Sequence, residues 1–446
     1  MKPLKSLSRI GLVLLIVVAA VLVVRAVFGL VEGRKLARTL AGLKAQGIPL
    51  TAKDLATPCP DEDNGARLWK AVENLLTTEE GPARGTLSGA FGKYAGGNPP
   101  DTASRAALRR LVAENDKALG LVDEIGSKPC FLLRDPALPL YQTLVPNTLK
   151  MIHATQLLGF SALFAAEDGD VPGAIERLRA GLKFSPMAAG EGTLMAYLVA
   201  VADTRMLTLF LGDIARGRPI ADETLIRLIG ELDPDRWRER LAKAIRGERV
   251  LFVEVGTLSS RADMKELYWI SGEPSILKKV GAWIIRPVIK TDIRKTLPVF
   301  AQLEEQAGRP YFEGRDLLKA QAQGSEKRPW YAFLSKAMVG NFDAAFLKEA
   351  QLEATLLAAR MGLACRLFKS RAGSYPESLE ELVPGILTEV PIDPFTGKPL
   401  VYRREGQGFI VYSLGSNQKD DGGRSTYMIT QLVMDKDDDW TWKEDK

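Results

Sequence analysis

Residues 343–370 read DAAFLKEAQLEATLLAARMGLACRLFKS, and residues 391–423 read PIDPFTGKPLVYRREGQGFIVYSLGSNQKDDGG. The first stretch predicts a long helix, because it is rich in alanine and carries regularly spaced leucines, and Gly373 ends it. In the second stretch, Leu400–Arg403 and Phe409–Leu414 alternate in polarity on either side of a glycine-containing turn, which predicts a β-hairpin. The apolar face of this hairpin must pack on the helix, so the two stretches predict a small α+β domain.

Short motifs follow this helix in a fixed order. They are Tyr375-Pro376, Leu379 with Leu382, Asp393-Pro394 with Gly397, Pro399 and Tyr402, and Tyr412-Ser413-Leu414-Gly415. Their order and spacing resemble the globular head of the major pseudopilins of type II secretion systems, over about residues 341–435. The resemblance implies an α+β domain at 341–434, an acidic tail at 435–446, and secretion-machinery or other envelope proteins as partners.

The same resemblance implies a calcium site in the loop that follows Tyr-Ser-Leu-Gly. Carried over to this chain, its ligands are the carbonyl of Leu414 with Asn417, Asp420, Asp421 and Asp437. Calcium takes six to eight oxygen ligands, so the chemistry of these groups suits it. Asn417 stands where the family usually has an acidic residue, and the alternative interpretation is a solvated acidic loop and tail.

Two departures separate this chain from a pilus subunit. A pseudopilin leader ends in glycine and is followed by an apolar helix with glutamate at its fifth position, whereas here Gly11 is followed by LVLLIV, with Ile16 at that place. Prepilin processing is therefore not expected. The whole of residues 32–340 also stands between the apolar N-terminal segment and the head, which predicts a pseudopilin-type head on a different body.

Residues 32–340 carry mainly helical periodicity and predict an irregular α-helical body. Residues 157–217 look like tetratricopeptide hairpins, but only one hairpin is convincing, and such arrays need several units for stability. The lone histidine, His153, lies among apolar residues and is predicted to be a core residue. Asp168 and Asp170 flank a glycine in the hairpin turn and are predicted to serve the turn or cap a helix.

An aromatic-rich stretch runs from Lys265 to Ile285 and contains Tyr268, Trp269 and Trp283. Ordinary core packing accounts for such residues. Contact with the membrane surface or with a partner protein is the alternative, because tyrosine and tryptophan are enriched at membrane–water interfaces.

The N-terminus predicts a single-pass membrane anchor. After a short basic tail at residues 1–9, residues 10–31 are apolar apart from Arg25, which is long enough to span a bilayer. A cleavable signal peptide is the alternative, but no clean A-x-A site follows. The basic tail favours a cytoplasmic N-terminus, with the body on the extracytoplasmic side of the inner membrane, although Arg34, Lys35 and Arg38 on the body side compete.

Composition narrows the function classes. The net charge of +5 comes from 60 basic and 55 acidic residues, without the concentrated basic face of a nucleic-acid binder. A single histidine argues against His-rich zinc sites and makes a Ser-His-Asp triad improbable. Of the three cysteines, Cys59 and Cys130 lie beside prolines and could form a disulfide if the body is extracytoplasmic, but the sequence does not show that they approach each other. Cys365 is predicted to be buried.

The fold class that follows is mainly α, with a small α+β C-terminal domain and an N-terminal transmembrane helix. No motif pairs two acids or sets out a nucleophile, so the first hypothesis is a non-enzymatic, membrane-anchored scaffold or interaction protein, accessory to a type II secretion or pilus-like system. Two alternatives stay open. One is an envelope hydrolase that uses two carboxylates, and the other is a calcium-stabilised ligand-binding protein.

Overall fold

The computed structural model is mainly helical, with one three-stranded antiparallel sheet near the C-terminus, as the sequence predicts. It describes the following residues: 3–77, 86–142, 148–260, 276–326, 328–329, 332–339, 342–423 and 440–444. Asp437, Tyr268 and Trp269 lie outside these ranges, so the predictions made for them stay predictions.

The helices of the described residues are numbered in chain order. They are α1 (Pro3–Ala45), α2 (Ala66–Leu75), α3 (Thr86–Ala95), α4 (Thr102–Glu114), α5 (Asp116–Ile125), α6 (Thr148–Glu167), α7 (Val171–Ala188), α8 (Leu194–Ala215), α9 (Asp222–Glu231), α10 (Asp235–Ser260), α11 (Ile276–Ala307), α12 (Tyr311–Glu326), α13 (Phe333–Val339) and α14 (Phe342–Ala372). The strands are β1 (Val401–Glu405), β2 (Gly408–Ser413) and β3 (Trp440–Glu444).

Within the described residues, three helices are long and apolar enough to cross a membrane: Leu15–Ala45 within α1, Thr148–Glu167 and Leu194–Ala215. They differ in exposure. The apolar window of the first is only 6% buried, whereas the windows of the other two are each 72% buried inside the protein. Helices α6 and α8 are therefore core helices of the protein. Of the three, only α1 has an apolar surface that the rest of the described chain leaves exposed.

The turn between α6 and α7 follows the sequence prediction. Gly169 has a φ of 96°, in the left-handed region that favours glycine. Asp170 caps α7, because its Oδ1 accepts a hydrogen bond of 2.9 Å from the Gly173 amide. Asp168 instead pairs with Arg109 of α4, so it ties the turn to the preceding helices.

The C-terminal sheet has the order β1-β2-β3, with β2 in the centre. The β1–β2 hairpin matches the sequence prediction. The third strand does not: the sequence analysis placed an acidic tail at residues 435–446, but Trp440–Glu444 pairs with β2 along its length. Trp442 drives this docking, since its side chain is buried against α14 at Gly362, where a Cβ would lie 2.4 Å from the indole.

Body and head share one hydrophobic core. A single cluster of buried side chains includes Leu207 of α8, Leu363 of α14 and Phe409 of β2. Arg366 of α14 also pairs with Glu444 of β3 and donates to the carbonyl oxygen of Arg218, which follows α8. The head is therefore packed onto the helical body rather than attached to it by a linker.

Candidate functional site

Two of the C-terminal motifs, Asp393-Pro394 and Tyr412-Ser413-Leu414-Gly415, meet at Asp393. Its buried carboxylate accepts hydrogen bonds from the Phe395 amide at 2.9 Å, the Ser413 hydroxyl at 2.9 Å and the Leu414 amide at 3.1 Å. Burial raises the pKa of Asp393, and these hydrogen bonds act in the opposite direction. The Asp-Pro motif thus holds the end of the Tyr-Ser-Leu-Gly strand, which gives both motifs a structural purpose.

The Tyr-Pro motif is fixed in a similar way. The hydroxyl of Tyr402 donates a 2.6 Å hydrogen bond to the carbonyl oxygen of Pro376. The ring of Tyr375 lies edge-on to Phe409, with 4.8 Å between the ring centroids. These contacts attach the sheet to the end of α14.

The loop predicted to bind calcium is held by its own hydrogen bonds. Asp420 Oδ1 accepts from the Tyr412 hydroxyl at 2.8 Å and from the Gly422 amide at 2.9 Å, and the Tyr412 hydrogen bond lowers the pKa of Asp420. Asn417 donates its Nδ2 to Asp421 Oδ2 at 2.9 Å. Asn417 thus directs a nitrogen, which cannot bind a cation, at the neighbouring carboxylate.

The described part of the loop does not make up a calcium cage. Within the ranges that the structure describes, no group of three or more His, Cys, Asp or Glu residues is arranged to hold a metal. Asp420 and Asp421 supply carboxylates and Leu414 a carbonyl oxygen, which falls short of the six to eight oxygens that calcium takes. Calcium at this loop stays a prediction.

Two buried glutamates on α14 form a cluster that the sequence analysis missed. Glu349 and Glu353 are 2% and 6% exposed. Burial raises the pKa of Glu349 well above its ordinary value, and the nearby charge of Glu353 raises it further. Glu353 binds Arg238 of α10, with 2.5 Å between Oε1 and Nη2. The hydroxyl of Tyr197 is buried close by, and no described residue forms a hydrogen bond with it.

These glutamates would suit acid–base chemistry only if a substrate reached them. Raised carboxyl pKa values mark many active sites, but structural clusters of charge raise them as well. Both carboxylates lie inside packed helices rather than on the wall of a cleft. No local pattern in the sequence singles out these two acids, because every residue of α14 from Glu349 to Ala359 is buried, whichever face it lies on.

A cavity of about 600 Å³ opens beside the C-terminal end of α1. It is lined mainly by apolar side chains, with a few polar groups. The lining consists of Leu40, Ala41 and Lys44 of α1, residues 50–54, Pro136, Ala137, Leu138, Pro139 and Tyr141, and Val253, Glu254, Thr257 and Leu258 of α10. This size and composition are those of small-molecule sites in proteins.

The two acidic side chains in the cavity lining accept hydrogen bonds from backbone amides. Glu254 accepts from the Ala52 amide at 3.1 Å and from the Leu140 amide at 2.7 Å, and Asp54 accepts from the amides of Leu50 and Thr51. Burial raises the pKa of Glu254, although these amides oppose the shift. The lining also carries the exposed side chains of Lys44, Lys53 and Asp54, which are two positive charges and one negative charge.

The cavity lies near the predicted membrane boundary. Leu40, on its wall, follows Val31 by nine residues of unbroken helix, which is about 14 Å along the helix axis. The four wall segments come from positions far apart in the chain. The sequence alone therefore offered no signal for this site.

The remaining predicted residues are accounted for structurally. Cys59 and Cys130 form a disulfide, with 5.9 Å between their Cα atoms, as the sequence analysis considered for an oxidising compartment. Cys365 is buried and unpaired. His153 is half-buried in α6, and burial lowers its pKa, so it is neutral near pH 7.

No protein-family model matches this chain, and no curated protein and no solved structure was found to match it.

Proposed function

We propose that this protein is a non-enzymatic scaffold or interaction protein, anchored by a single span in the inner membrane, with its body on the extracytoplasmic side. The observation that carries the proposal is the Cys59–Cys130 disulfide in a body joined directly to an exposed apolar helix. The disulfide supports an oxidising compartment, because cytosolic proteins rarely keep such bonds.

The connection between anchor and body is rigid. Helix α1 runs without a break from Pro3 to Ala45, so its apolar part and its body-contacting part are one element. Glu32, 4% exposed, binds Lys35 on the same helix and Arg294 of α11, the latter at 3.0 Å. A body fastened in this way is held at a fixed distance and orientation from the bilayer, which suits a scaffold.

The resemblance of the head to pseudopilins supports a role beside a type II secretion or pilus-like machine. Its motif residues are used internally, at Asp393 and Tyr402, so a partner would contact other parts of the head. The turn between β1 and β2 is one such part, because Gln407 at its tip is exposed.

Photocrosslinking in native membranes tests this proposal. A benzoylphenylalanine at Gln407 of the head is compared with one at Lys117, which is equally exposed on the body. We expect the head probe, and not the body probe, to capture components of a secretion or pilus-assembly system. Capture of the same set of proteins by both probes, or of this chain alone, would overturn the assignment to such a system.

The cavity favours a second candidate, a protein that binds an amphiphilic ligand. Its apolar walls suit a hydrocarbon chain, and Lys44 and Lys53 at its mouth suit an anionic head group. With cis-parinaric acid as the probe, we expect saturable binding that Leu138→Trp abolishes by filling the cavity. Leu149→Trp, at an exposed leucine outside the cavity, is the matched control. Equal binding by both variants would contradict this function.

The hydrolase alternative has weaker support. Glu349 and Glu353 have the raised pKa values that general acids need, but both side chains are buried between packed helices of the described chain.

A further inference from the structure

Helix α11 runs parallel to the anchor helix α1. Close contacts advance in the same direction on both helices: Gly29 faces Pro287 and Gly33 faces Lys290. A Cβ built at Gly29 would lie 3.4 Å from Pro287 Cγ. The buried Glu32–Arg294 ion pair fixes the same register. The N-terminal end of α11 therefore points in the same direction as the N-terminal end of α1.

Helix α11 also extends well past its other neighbour. It runs antiparallel to α10, with the rings of Phe252 and Phe300 5.4 Å apart, and Gly256 faces Ile293. Helix α10 ends at Ser260, four residues after Gly256, whereas α11 begins at Ile276, seventeen residues before Ile293. The first turns of α11 therefore extend about 20 Å beyond the end of α10.

This extension leads into the depth range of the anchor. Ile276 precedes Pro287 by eleven residues, or about 16 Å of helix, and Pro287 is level with Gly29. A crossing angle of about 20°, common for packed helices, hardly shortens that distance. The first turns of α11 are thus level with the part of α1 around Val18 and Val21, whose side chains are more than half exposed.

The sequence of this segment suits such a place. Residues 276–285 read ILKKVGAWII, with a tryptophan and seven other apolar residues or glycine beside two lysines, and they contain no acid. Arg286 follows and lies near Arg25, so the two guanidinium groups mark one level on both helices. Arginine and lysine at such a level extend to phosphate head groups, and tryptophan prefers the same interface.

We infer that residues 276–285 of α11 insert into the outer leaflet beside α1, with Arg286 at the head groups. The protein then has two contacts with the bilayer, a spanning helix and a half-inserted one. Residues 276–285 would then contact the acyl-chain region of the membrane. The inference rests on the proposed function only in taking α1 as the span.

Depth-dependent quenching in nanodiscs tests the insertion on the full-length protein. Three matched variants each carry one new thiol for a fluorescent NBD label: Ala20→Cys in the anchor, Ala282→Cys in the proposed insertion, and Ala301→Cys at an exposed position farther along α11. The native thiol of Cys365 is buried, and unlabelled wild-type protein measures its background. Circular dichroism melts check that each variant is folded.

We expect lipids with nitroxide-labelled acyl chains to quench the labels at positions 20 and 282 several-fold more than the label at position 301. Quenching at 20 but not at 282 overturns the insertion and leaves the anchor standing. The absence of quenching at 20 overturns the proposed span, and the insertion with it. Protection of position 282, but not of 301, from a membrane-impermeant maleimide is the second readout, independent of the fluorophore.

Discussion

Asp203 in the body and Asp393 in the head are equally buried, each 1% exposed, yet their surroundings differ. Asp393 accepts hydrogen bonds from two backbone amides and a serine hydroxyl. Asp203 interacts with the hydroxyl of Thr155, no described residue donates a hydrogen bond to its Oδ1, and burial raises its pKa to about 8. The comparison shows that hydrogen-bond donors oppose the effect of burial on the pKa of an aspartate.

The largest expected effect comes from removing the satisfied carboxylate. Asp393→Ala leaves three donors without their acceptor, and we expect it to lower the free energy of unfolding by about 3–5 kcal/mol. Urea unfolding followed by circular dichroism measures this. Asp421→Ala, at an exposed aspartate of the same head, should change stability by less than about 0.5 kcal/mol. Equal midpoints for the two variants would contradict the structural role of Asp393.

The next effect concerns the strand that attaches the head to the body. Trp442→Ala removes a buried indole that packs against Gly362, and we expect it to cost about 3 kcal/mol. Lys443→Ala, at the next residue, whose side chain is 43% exposed, is the control and should cost less than about 1 kcal/mol. If both variants unfold at the wild-type urea concentration, β3 does not contribute to stability.

A pH-dependent effect, smaller for each pH unit, concerns the protonation of Asp203. Between the ordinary value of 3.8 and the folded pKa of about 8, the folded chain keeps a proton on Asp203 that the unfolded chain has released. Rising pH therefore destabilises the folded state across that window. Asp203→Asn keeps a neutral side chain and removes this dependence, so its stability relative to wild type should rise by about 1 kcal/mol per pH unit between pH 4 and 8.

Urea unfolding at pH 5 and pH 8 measures this difference, with Asp421→Asn as the control at an exposed position. Stability curves for Asp203→Asn and wild type that run parallel across the window would show that Asp203 is ionised in the folded protein. The contrast between the two buried aspartates would then fail.

The smallest expected effect is that of calcium on the head. Because Asp420 and Asn417 are engaged within their own loop, we expect the melting temperature to be the same with calcium as with chelator. A rise with calcium that Asp420→Asn and Asp437→Asn each remove would instead establish the predicted site and show that Asp437 completes it.

Regular patterns made several elements predictable. The helix after Phe342 and the β1–β2 hairpin follow from alanine and leucine spacing and from alternation about a glycine turn. Strand β3 was not predicted, because Trp442 lies in a stretch dominated by aspartate and lysine. Local charge indicated a solvated tail. In the structure, the indole of Trp442 instead packs in the space beside Gly362, and the segment forms a strand.

The candidate sites were less predictable than the fold. The cavity takes its walls from four segments between Leu40 and Leu258, and no local pattern reports that they meet. Glu349 and Asp203 lie within helices whose other faces are equally apolar, so their burial depends on which helices pack around them. Cys59 and Cys130 were a reasonable pair from the sequence, but only the approach of two loops 71 residues apart joins them.

Local sequence specifies the elements whose cause is local: the apolar N-terminal helix, the other helices, the hairpin and the turn caps, because hydrophobic period and backbone preference act over a few residues. The tertiary structure alone decided which apolar helices are covered, which carboxylates receive donors, where β3 docks, and that α11 runs beside α1. Those features depend on contacts between residues distant in the chain, and their free energy comes from the burial and pairing that the whole fold provides.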